Sequence, residues 1–231
     1  MARLKKQIAI ITGGARGIGE GICRVFCNEG AKVYLWDIID KGANTAELIK
    51  KEGGEISFQK VDVTNQKSVD QAVKEIISQN GKIDILINNG GISQRSLAAE
   101  TNIHVDKRIM DINYLGTVAL TKAILPHFIE KKEGQFVITT SIVGKIGTPL
   151  RSSYAASKHA LHGFFDSLRA ENYQNNIVVT LLCPGFINTN ISKNALIGNG
   201  APQGKMDVAT SNGMSPERCA KLILKAIKNK K

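Results

Sequence analysis

The sequence predicts an α/β fold, a doubly wound parallel sheet with helices on both faces in three layers. Short apolar runs alternate with amphipathic helical patterns along the chain, which is typical of right-handed strand-helix-strand units. The runs are continuously apolar, as expected for strands buried on both faces. Glycines or polar residues follow the strands, at the edge where such sheets bind ligands.

The composition indicates one domain over residues 1–231. Hydrophobic residues make up 42% and charged residues 22%, without a polar or Pro-rich linker. The net charge of +11 has two interpretations. The lysines are scattered and serve solubility, or they form a basic surface that attracts an anionic partner. Because no nucleic-acid motif accompanies it, we expect no nucleic-acid partner.

Targeting and metal-binding signals are missing from the sequence. The apolar run of residues 8–11 is too short for a signal peptide or a membrane span. The four cysteines form no C-x-x-C pair, and the four histidines lack partners at metal spacing. We therefore expect a cytoplasmic protein with reduced thiols and no metal.

The first strand, predicted over residues 7–11, runs into a glycine-rich turn over 12–19 and then a helix. Glycines let the backbone approach a pyrophosphate, which the N–H groups and positive dipole end of the helix then hold. A strand before such a turn and a helix after it are the required context. The pattern therefore predicts a Rossmann-like dinucleotide site.

The second strand, residues 31–36, ends at Asp37. A carboxylate here can bind the adenosine ribose and repels a 2′-phosphate, which favours NAD(H) as the cofactor. Arg16 in the glycine turn points the other way, because a cation there could bind that phosphate, so NADP(H) is also possible. We give the carboxylate more weight, since its charge would lie where the phosphate must go.

Four further strands complete the predicted sheet. A long helix contains Asn113 and Pro126, and we expect the proline to kink the helix or end its regular part. Asn113 is unfavourable inside a helix, which leaves either a polar task or a solvated side chain. The strands are predicted over residues 55–61, 83–87, 135–140 and 177–182, and the helices over 42–52, 65–77, 111–125, 154–172 and from 215 onwards.

The segment after the fifth strand places Tyr154 and Lys158 one helical turn apart. Such residues share a helix face, so we expect Lys158 beside the Tyr154 oxygen, lowering the phenol pKa by about 1–3 units. Tyr154 would then exchange protons near neutral pH. The spacing alone is common and also fits an ordinary helix. Ser141 ends the fifth strand, from where its hydroxyl can approach the same substrate oxygen.

Residues 190–212 are rich in Gly, Asn and Ser with little periodicity, which predicts a flexible lid over a substrate cleft. Neither this segment nor residues 93–103 contains a pattern that identifies a substrate.

Together these motifs resemble the short-chain dehydrogenase/reductase family, in its single-domain branch, over essentially the whole chain. Gly90 replaces the usual alanine of one motif, which we expect to loosen that turn. The matching elements are the TGxxxGxG turn at 12–19, the adenine-contact Asp62, the NNAG motif at 88–91, the tetrad Asn113, Ser141, Tyr154 and Lys158, and the nicotinamide-binding segment at 184–189.

The resemblance implies an NAD(P)(H)-dependent oxidoreductase that interconverts a secondary alcohol and a ketone by hydride transfer. Tyr154 would be the general acid and base, Lys158 would lower its pKa and hold the nicotinamide ribose, and Ser141 would bind the carbonyl. Asn113 would position a water. The residues that would contact the dinucleotide are Gly13, Arg16, Ile18, Gly19, Asp37, Asp62, Val63, Asn89, Tyr154, Lys158, Ile187 and Thr189.

Two alternatives are open. The basic surface favours a 3-oxoacyl carrier-protein reductase, and a non-catalytic dinucleotide sensor is the alternative of another class, against which the intact tetrad argues. The resemblance also implies a homodimer or homotetramer, built through the helices that contain Gly116 and Tyr154. Relatives continue into a seventh strand, so either the chain extends beyond residue 231 or the sheet lacks one edge.

Overall fold

The computed structural model describes residues 4–229 and confirms the predicted fold. Six parallel strands form one sheet in the order β3-β2-β1-β4-β5-β6, and the order reverses between β1 and β4, where sheets of this type bind ligands. The strands are β1 Ile8–Thr12, β2 Lys32–Asp37, β3 Ile56–Lys60, β4 Ile85–Asn88, β5 Gly134–Thr139 and β6 Ile177–Leu182.

Helices cover both faces of the sheet. One face packs against α1, α2 and α8, and the other against α3, α5 and α6. The helices are α1 Gly17–Asn28, α2 Lys41–Lys51, α3 Gln66–Asn80, α4 Ile103–Met110, α5 Gly116–Lys131, α6 Ser152–Glu171, α7 Val208–Ser211 and α8 Pro216–Lys228.

The continuous apolar strands supply both core layers. Successive side chains of a strand point to opposite faces. Ala9 and Ile11 of β1 therefore join the layer under α1, whereas Ile8 and Ile10 join the layer under α5. All five residues of β1 are buried, which explains why this strand shows no alternation of polar and apolar residues.

The long helix begins earlier and ends later than predicted. Residues 103–110, to which no element was assigned, form α4, which continues through a π-helical turn, Asp111–Leu115, into α5. Pro126 lies inside α5 and the helix extends to Lys131, so the proline does not end the helix, and a kink there stays a prediction. Burial of Ile124 and Phe128 on either side of the proline stabilises the helix through packing, which offsets the lost backbone hydrogen bond.

The predicted lid packs against the segment that follows β4. Leu196 N donates to Ser93 O at 2.8 Å and Arg95 N donates to Leu196 O at 2.8 Å, while Ser192 and Ala195 are buried. The short helix α7 lies within it. The structure thus places this segment over the cleft, and its flexibility stays a prediction.

Residues 4–229 contain neither a helix suited to span a membrane nor a cluster of metal ligands. In this part of the chain no helix has the length and apolarity needed to cross a membrane, and no group of three His, Cys, Asp or Glu side chains is arranged to hold a metal ion.

Candidate active site

A cavity of about 1310 Å³ opens at the carboxyl ends of the strands. Two of the predicted site residues, Gly19 and Asn113, do not line this cavity. The predicted site residues that line the cavity are Gly13, Arg16, Ile18, Asp37, Asp62, Val63, Asn89, Ser141, Tyr154, Lys158, Ile187 and Thr189.

The glycine turn forms one end of the cavity. Gly13 has a φ of +65°, and a Cβ there would lie 2.7 Å from the Gly90 Cα, so only glycine fits between the two turns. Within the described chain, the side chain of Arg16 does not cap α1. The first N–H groups of a helix have no partner inside it, and Gly17 and Ile18 line the cavity. This end can therefore bind an anion.

Asn89 braces that turn. Its Nδ2 donates to Thr12 O at 3.1 Å, and the Thr12 hydroxyl accepts from the backbone N–H groups of Asn89 and Gly90 at 3.0 and 2.9 Å. These bonds tie the end of β4 to the end of β1. Asn89 therefore fixes the shape of the turn besides lining the cavity.

Asp37 links the second strand to the same turn. Its Oδ2 accepts from Ala15 N at 3.1 Å and its Oδ1 from Ile38 N at 2.8 Å. The carboxylate is thus held at the cavity wall, whereas Arg16 is exposed. Arg16 lines the same cavity, so both residues that bear on the choice of cofactor face it.

Tyr154 and Lys158 both line the cavity, from the first two turns of α6. Lys158 is 4% exposed, and its Nζ donates to Thr139 O at 2.7 Å. The ammonium lies 5.8 Å from the centroid of the Tyr154 ring. Burial lowers the pKa of Lys158 to about 8, so the ammonium is still mostly protonated at neutral pH.

The pKa of Tyr154 is raised above its ordinary value of 10.0, mainly by burial of the phenol. The Ser141 hydrogen bond and the charges of Arg95 and Arg151 act in the opposite direction. The predicted lowering by Lys158 is therefore wrong for this structure, because burial disfavours the phenolate more than the neighbouring charges favour it. The phenol is kept protonated and ready to donate.

Asn113 is buried in the π-helical turn and is not solvated. Its Oδ1 accepts from Ile92 N at 2.9 Å, and its Nδ2 donates to Ile92 O at 2.9 Å and to Ser157 Oγ at 3.1 Å. π-helical turns are frequent at functional sites. The Asn113 side chain thus has a structural role, because its hydrogen bonds hold the backbone next to Gly91 against the helix that contains Tyr154.

Gln94 is a site residue that sequence reasoning missed. It is completely buried, and its Oε1 accepts from Ser153 N at 2.9 Å and Tyr154 N at 3.5 Å. Its Nε2 contacts the hydroxyls of Ser96, Thr101 and Ser152. Gln94 thus caps α6 from a distant loop and positions the Tyr154 backbone. Nothing in the sequence pairs residues 94 and 153.

Replacing Gln94 with leucine should destabilise the start of α6. Buried N–H and hydroxyl groups would lose their partners, which costs about 1–3 kcal/mol and lowers the melting temperature by about 2–10 °C in a domain of this size. Thermal unfolding measures this. The control is Gln71→Leu on α3, whose side chain is exposed; a Gln94→Leu variant as stable as this control would contradict the capping role.

The family profile described as short chain dehydrogenase matches residues 7–198. A curated relative from Anopheles gambiae, "Dehydrogenase/reductase SDR family protein 7-like", is 45% identical over 97% of this chain and 73% of its own length. "Dehydrogenase/reductase SDR family member 7B" from Bos taurus is 41% identical over 100% of this chain and 73% of its own length.

Solved structures share the fold. A short chain dehydrogenase/reductase from Burkholderia phymatum, in complex with NAD, superposes with a TM-score of 0.89 at 23% identity, covering 100% of this chain and 88% of the other. An alcohol dehydrogenase from Thermococcus sibiricus, complexed with 5-hydroxy-NADP, gives 0.82 at 24% identity, covering 96% and 90%. At these identities the similarity shows the architecture alone.

Proposed function

Because the chain belongs to the short-chain dehydrogenase/reductase family, we propose that this oxidoreductase interconverts a secondary alcohol and a ketone with a nicotinamide dinucleotide. One observation carries the proposal: Ser141, Tyr154 and Lys158 line the same cavity as the glycine turn and the uncapped start of α1. The cavity volume of about 1310 Å³ leaves room for a dinucleotide and a small substrate.

The residues of the cavity divide into two ends. The glycine turn, Asp37 and the segment that contains Asp62 and Val63 would hold the adenosine and the diphosphate. Asn89, Ile187 and Thr189 would lie along the rest of the molecule, and Tyr154 and Lys158 at its far end. When bound, the nicotinamide supplies or accepts the hydride.

Tyr154 acts on the substrate oxygen. In reduction its phenol donates a proton to the oxygen of the former carbonyl, and in oxidation it accepts that proton. Ser141, whose hydroxyl lies close enough to the phenol to lower its pKa, donates to the same oxygen and orients it. Lys158 holds its charge beside the ring, where its hydrogen bond to Thr139 O fixes the ammonium. A water positioned by Asn113 would link Lys158 to solvent and carry the proton away or return it.

The test is a turnover assay that follows the absorbance of reduced nicotinamide with a panel of ketones and alcohols. The proposal expects cofactor-dependent turnover of at least one of them. Cofactor binding without turnover of any compound would favour the non-catalytic sensor instead. The 3-oxoacyl carrier-protein reductase would be supported by salt-sensitive binding of an acidic carrier protein.

NAD(H) is the proposed cofactor, because Asp37 lines the cavity at the end of β2, and a carboxylate at this position repels a 2′-phosphate. Replacing Asp37 with serine removes one like charge, worth about 1–4 kcal/mol at about 4 Å in a partly solvated site. The ratio of the dissociation constants for NADPH and NADH should fall by about tenfold or more. Fluorescence titration with both cofactors measures this.

Asp40→Ser is the control for that change. Asp40 carries the same charge at the start of α2 but pairs with Lys60 and is absent from the cavity lining. Its replacement should leave the cofactor ratio unchanged. An equal effect of both variants would indicate long-range charge rather than contact, and an unchanged ratio in Asp37→Ser would contradict the proposed preference.

Cytoplasmic location and assembly into a homodimer or homotetramer stay predictions. Leu115 and Ile129, beside and on α5, expose large apolar side chains, which is compatible with a helix-to-helix contact between subunits. Sedimentation measurements would decide the oligomeric state.

A further inference from the structure

Two arginines and one aspartate form a cluster on the substrate side of the cavity. Arg95 and Arg151 line the cavity together with Tyr154, and both guanidinium groups approach the Asp207 carboxylate. Arg95 comes from the loop after β4, Arg151 directly precedes α6, and Asp207 directly precedes α7. The proton transfer described above does not require any of the three.

The guanidinium group of Arg95 donates its hydrogen bonds to other groups of the protein. Its Nε and Nη2 contact Asp207 Oδ2 at 2.8 and 2.7 Å. Its Nη1 donates to Ser93 Oγ at 2.8 Å and to Gln94 O at 2.6 Å. The side chain is only 8% exposed. Arg95 is therefore a fixed part of the cavity wall.

Arg151 is held much more loosely. Its Nη2 lies 3.6 Å from Asp207 Oδ2, and its Nη1 donates to Pro149 O at 3.4 Å. Because Asp207 already pairs with Arg95, residues 4–229 supply one carboxylate for two guanidinium groups, and the cluster carries a net positive charge. Burial, followed by the charge of Arg95, lowers the pKa of Arg151 from its ordinary value, as expected for a partly desolvated cation without a full counter-ion.

Thr148 adds an unused donor to this wall. Its Oγ1 is buried and has no hydrogen-bond partner among residues 4–229, and Thr148 lines the cavity. A buried hydroxyl without a partner is unfavourable, and an anionic oxygen would accept its hydrogen. The Thr148 hydroxyl therefore lacks an acceptor that a bound anion would supply.

The same cavity offers apolar surface for the rest of such a ligand. Ile142, Ile146 and Phe186 line it and are 52%, 57% and 54% exposed. Ligand sites commonly combine an apolar lining with a few placed polar groups. The occupant that fits has an aliphatic body and one compact anionic group.

We propose that Arg151 and Thr148 form an anion subsite, which binds a negatively charged group of the ketone whose carbonyl oxygen lies at Tyr154. This rests on the proposed function and narrows it to one substrate class. Arg151 directly precedes the helix that contains Tyr154, and the guanidinium and the phenol are close enough for each to shift the pKa of the other. The anionic group and the carbonyl should therefore be separated by only a few carbons.

Calorimetric binding tests the subsite without turnover. Hexanoate, pentyl phosphate and the neutral hexanamide are titrated into the full-length protein with and without NADH. At least one of the two anions should bind about tenfold or more tightly than the amide, because charged bidentate pairs are strong. The tighter of the two identifies the preferred group. Equal binding of all three compounds would overturn the proposal.

Variants locate the effect. Arg151→Met should lose the preference for the anion, and Arg151→Lys should retain most of it. Arg108→Met removes a cation that lines the same cavity from α4 and should leave the preference unchanged. A preference that survives in Arg151→Met, or disappears equally in Arg108→Met, would overturn the assignment. Melting curves of all variants show whether each is folded.

Turnover separates this proposal from the proposed function. Levulinate and 5-oxohexanoate are compared with their methyl esters as substrates. A kcat/KM about tenfold or more in favour of the acids, lost in Arg151→Met, supports the subsite. Equal values for acids and esters overturn the subsite and leave the oxidoreductase intact. Turnover of none of them counts against the proposed function, and the calorimetric result then decides the subsite by itself.

Discussion

Replacing Tyr154 with phenylalanine should lower kcat by about 10²–10⁴-fold, the usual contribution of a positioned general acid or base. The variant keeps the ring and its packing on α6 and loses only the hydroxyl that exchanges the proton. Burial keeps that phenol protonated, since its pKa is raised. Without it the alkoxide formed by hydride transfer keeps the Ser141 hydrogen bond but has no placed acid to protonate it.

Cofactor affinity should be nearly unchanged in Tyr154→Phe, because the glycine turn and Asp37 lie at the other end of the cavity. Steady-state kinetics and fluorescence titration measure the two effects separately. Tyr173→Phe is the matched control, since Tyr173 is 70% exposed. Unchanged turnover in Tyr154→Phe would reject the assignment of the acid and base.

Replacing Lys158 with methionine should abolish most activity and yet stabilise the free protein. Lys158 is a buried cation whose pKa is lowered to about 8, against an ordinary value of about 10.5. That difference corresponds to a cost of about 3 kcal/mol at pH 7. Methionine fills similar space without charge, so the variant should be more stable by about 1–3 kcal/mol and melt about 2–10 °C higher.

The gain should depend on pH in one direction. Between pH 8 and about 10.5 the unfolded chain binds a proton on this lysine that the folded chain has released, so native stability rises with pH in that window. Methionine does not titrate. The advantage of Lys158→Met is therefore largest below pH 8 and should shrink by about 1 kcal/mol between pH 7 and pH 9.

Chemical denaturation at both pH values measures that change. Lys122→Met on α5 is the control, because Lys122 is exposed and its replacement should change stability by less than about 0.5 kcal/mol. The account would be contradicted if Lys158→Met were less stable than the native protein. It would also be contradicted if the gain in the free energy of unfolding did not vary with pH, because the buried ammonium would then not be destabilising.

Local patterns made the fold and the dinucleotide end predictable. Continuous apolar strands, the glycines of the first turn and Asp37 are all readable within about 30 residues of one another. Parallel topology then brings the carboxyl ends of the strands together, so the positions of Asp62, Asn89 and Ser141 at the cavity follow from strand order.

The substrate side of the cavity is formed by contacts between residues far apart in sequence, and no local sequence pattern predicts such contacts. Arg95 and Asp207 are 112 residues apart and meet only because the segment before α7 folds back over the loop after β4. The same holds for the cap that Gln94 provides to α6. The pKa of Tyr154 was predicted in the wrong direction for a related reason: the i+4 spacing is local, whereas burial of the phenol is a property of the whole cavity.

The most direct test of the account is deuterium transfer. The protein is incubated with reduced cofactor that carries deuterium on the transferable position and with the panel of acidic and neutral ketones, and the products are examined by mass spectrometry. The account predicts deuterium on the carbinol carbon of at least one product, with an initial rate of labelling about 100-fold or more lower when Tyr154→Phe replaces the native protein. Cofactor binding without label in any alcohol would contradict it.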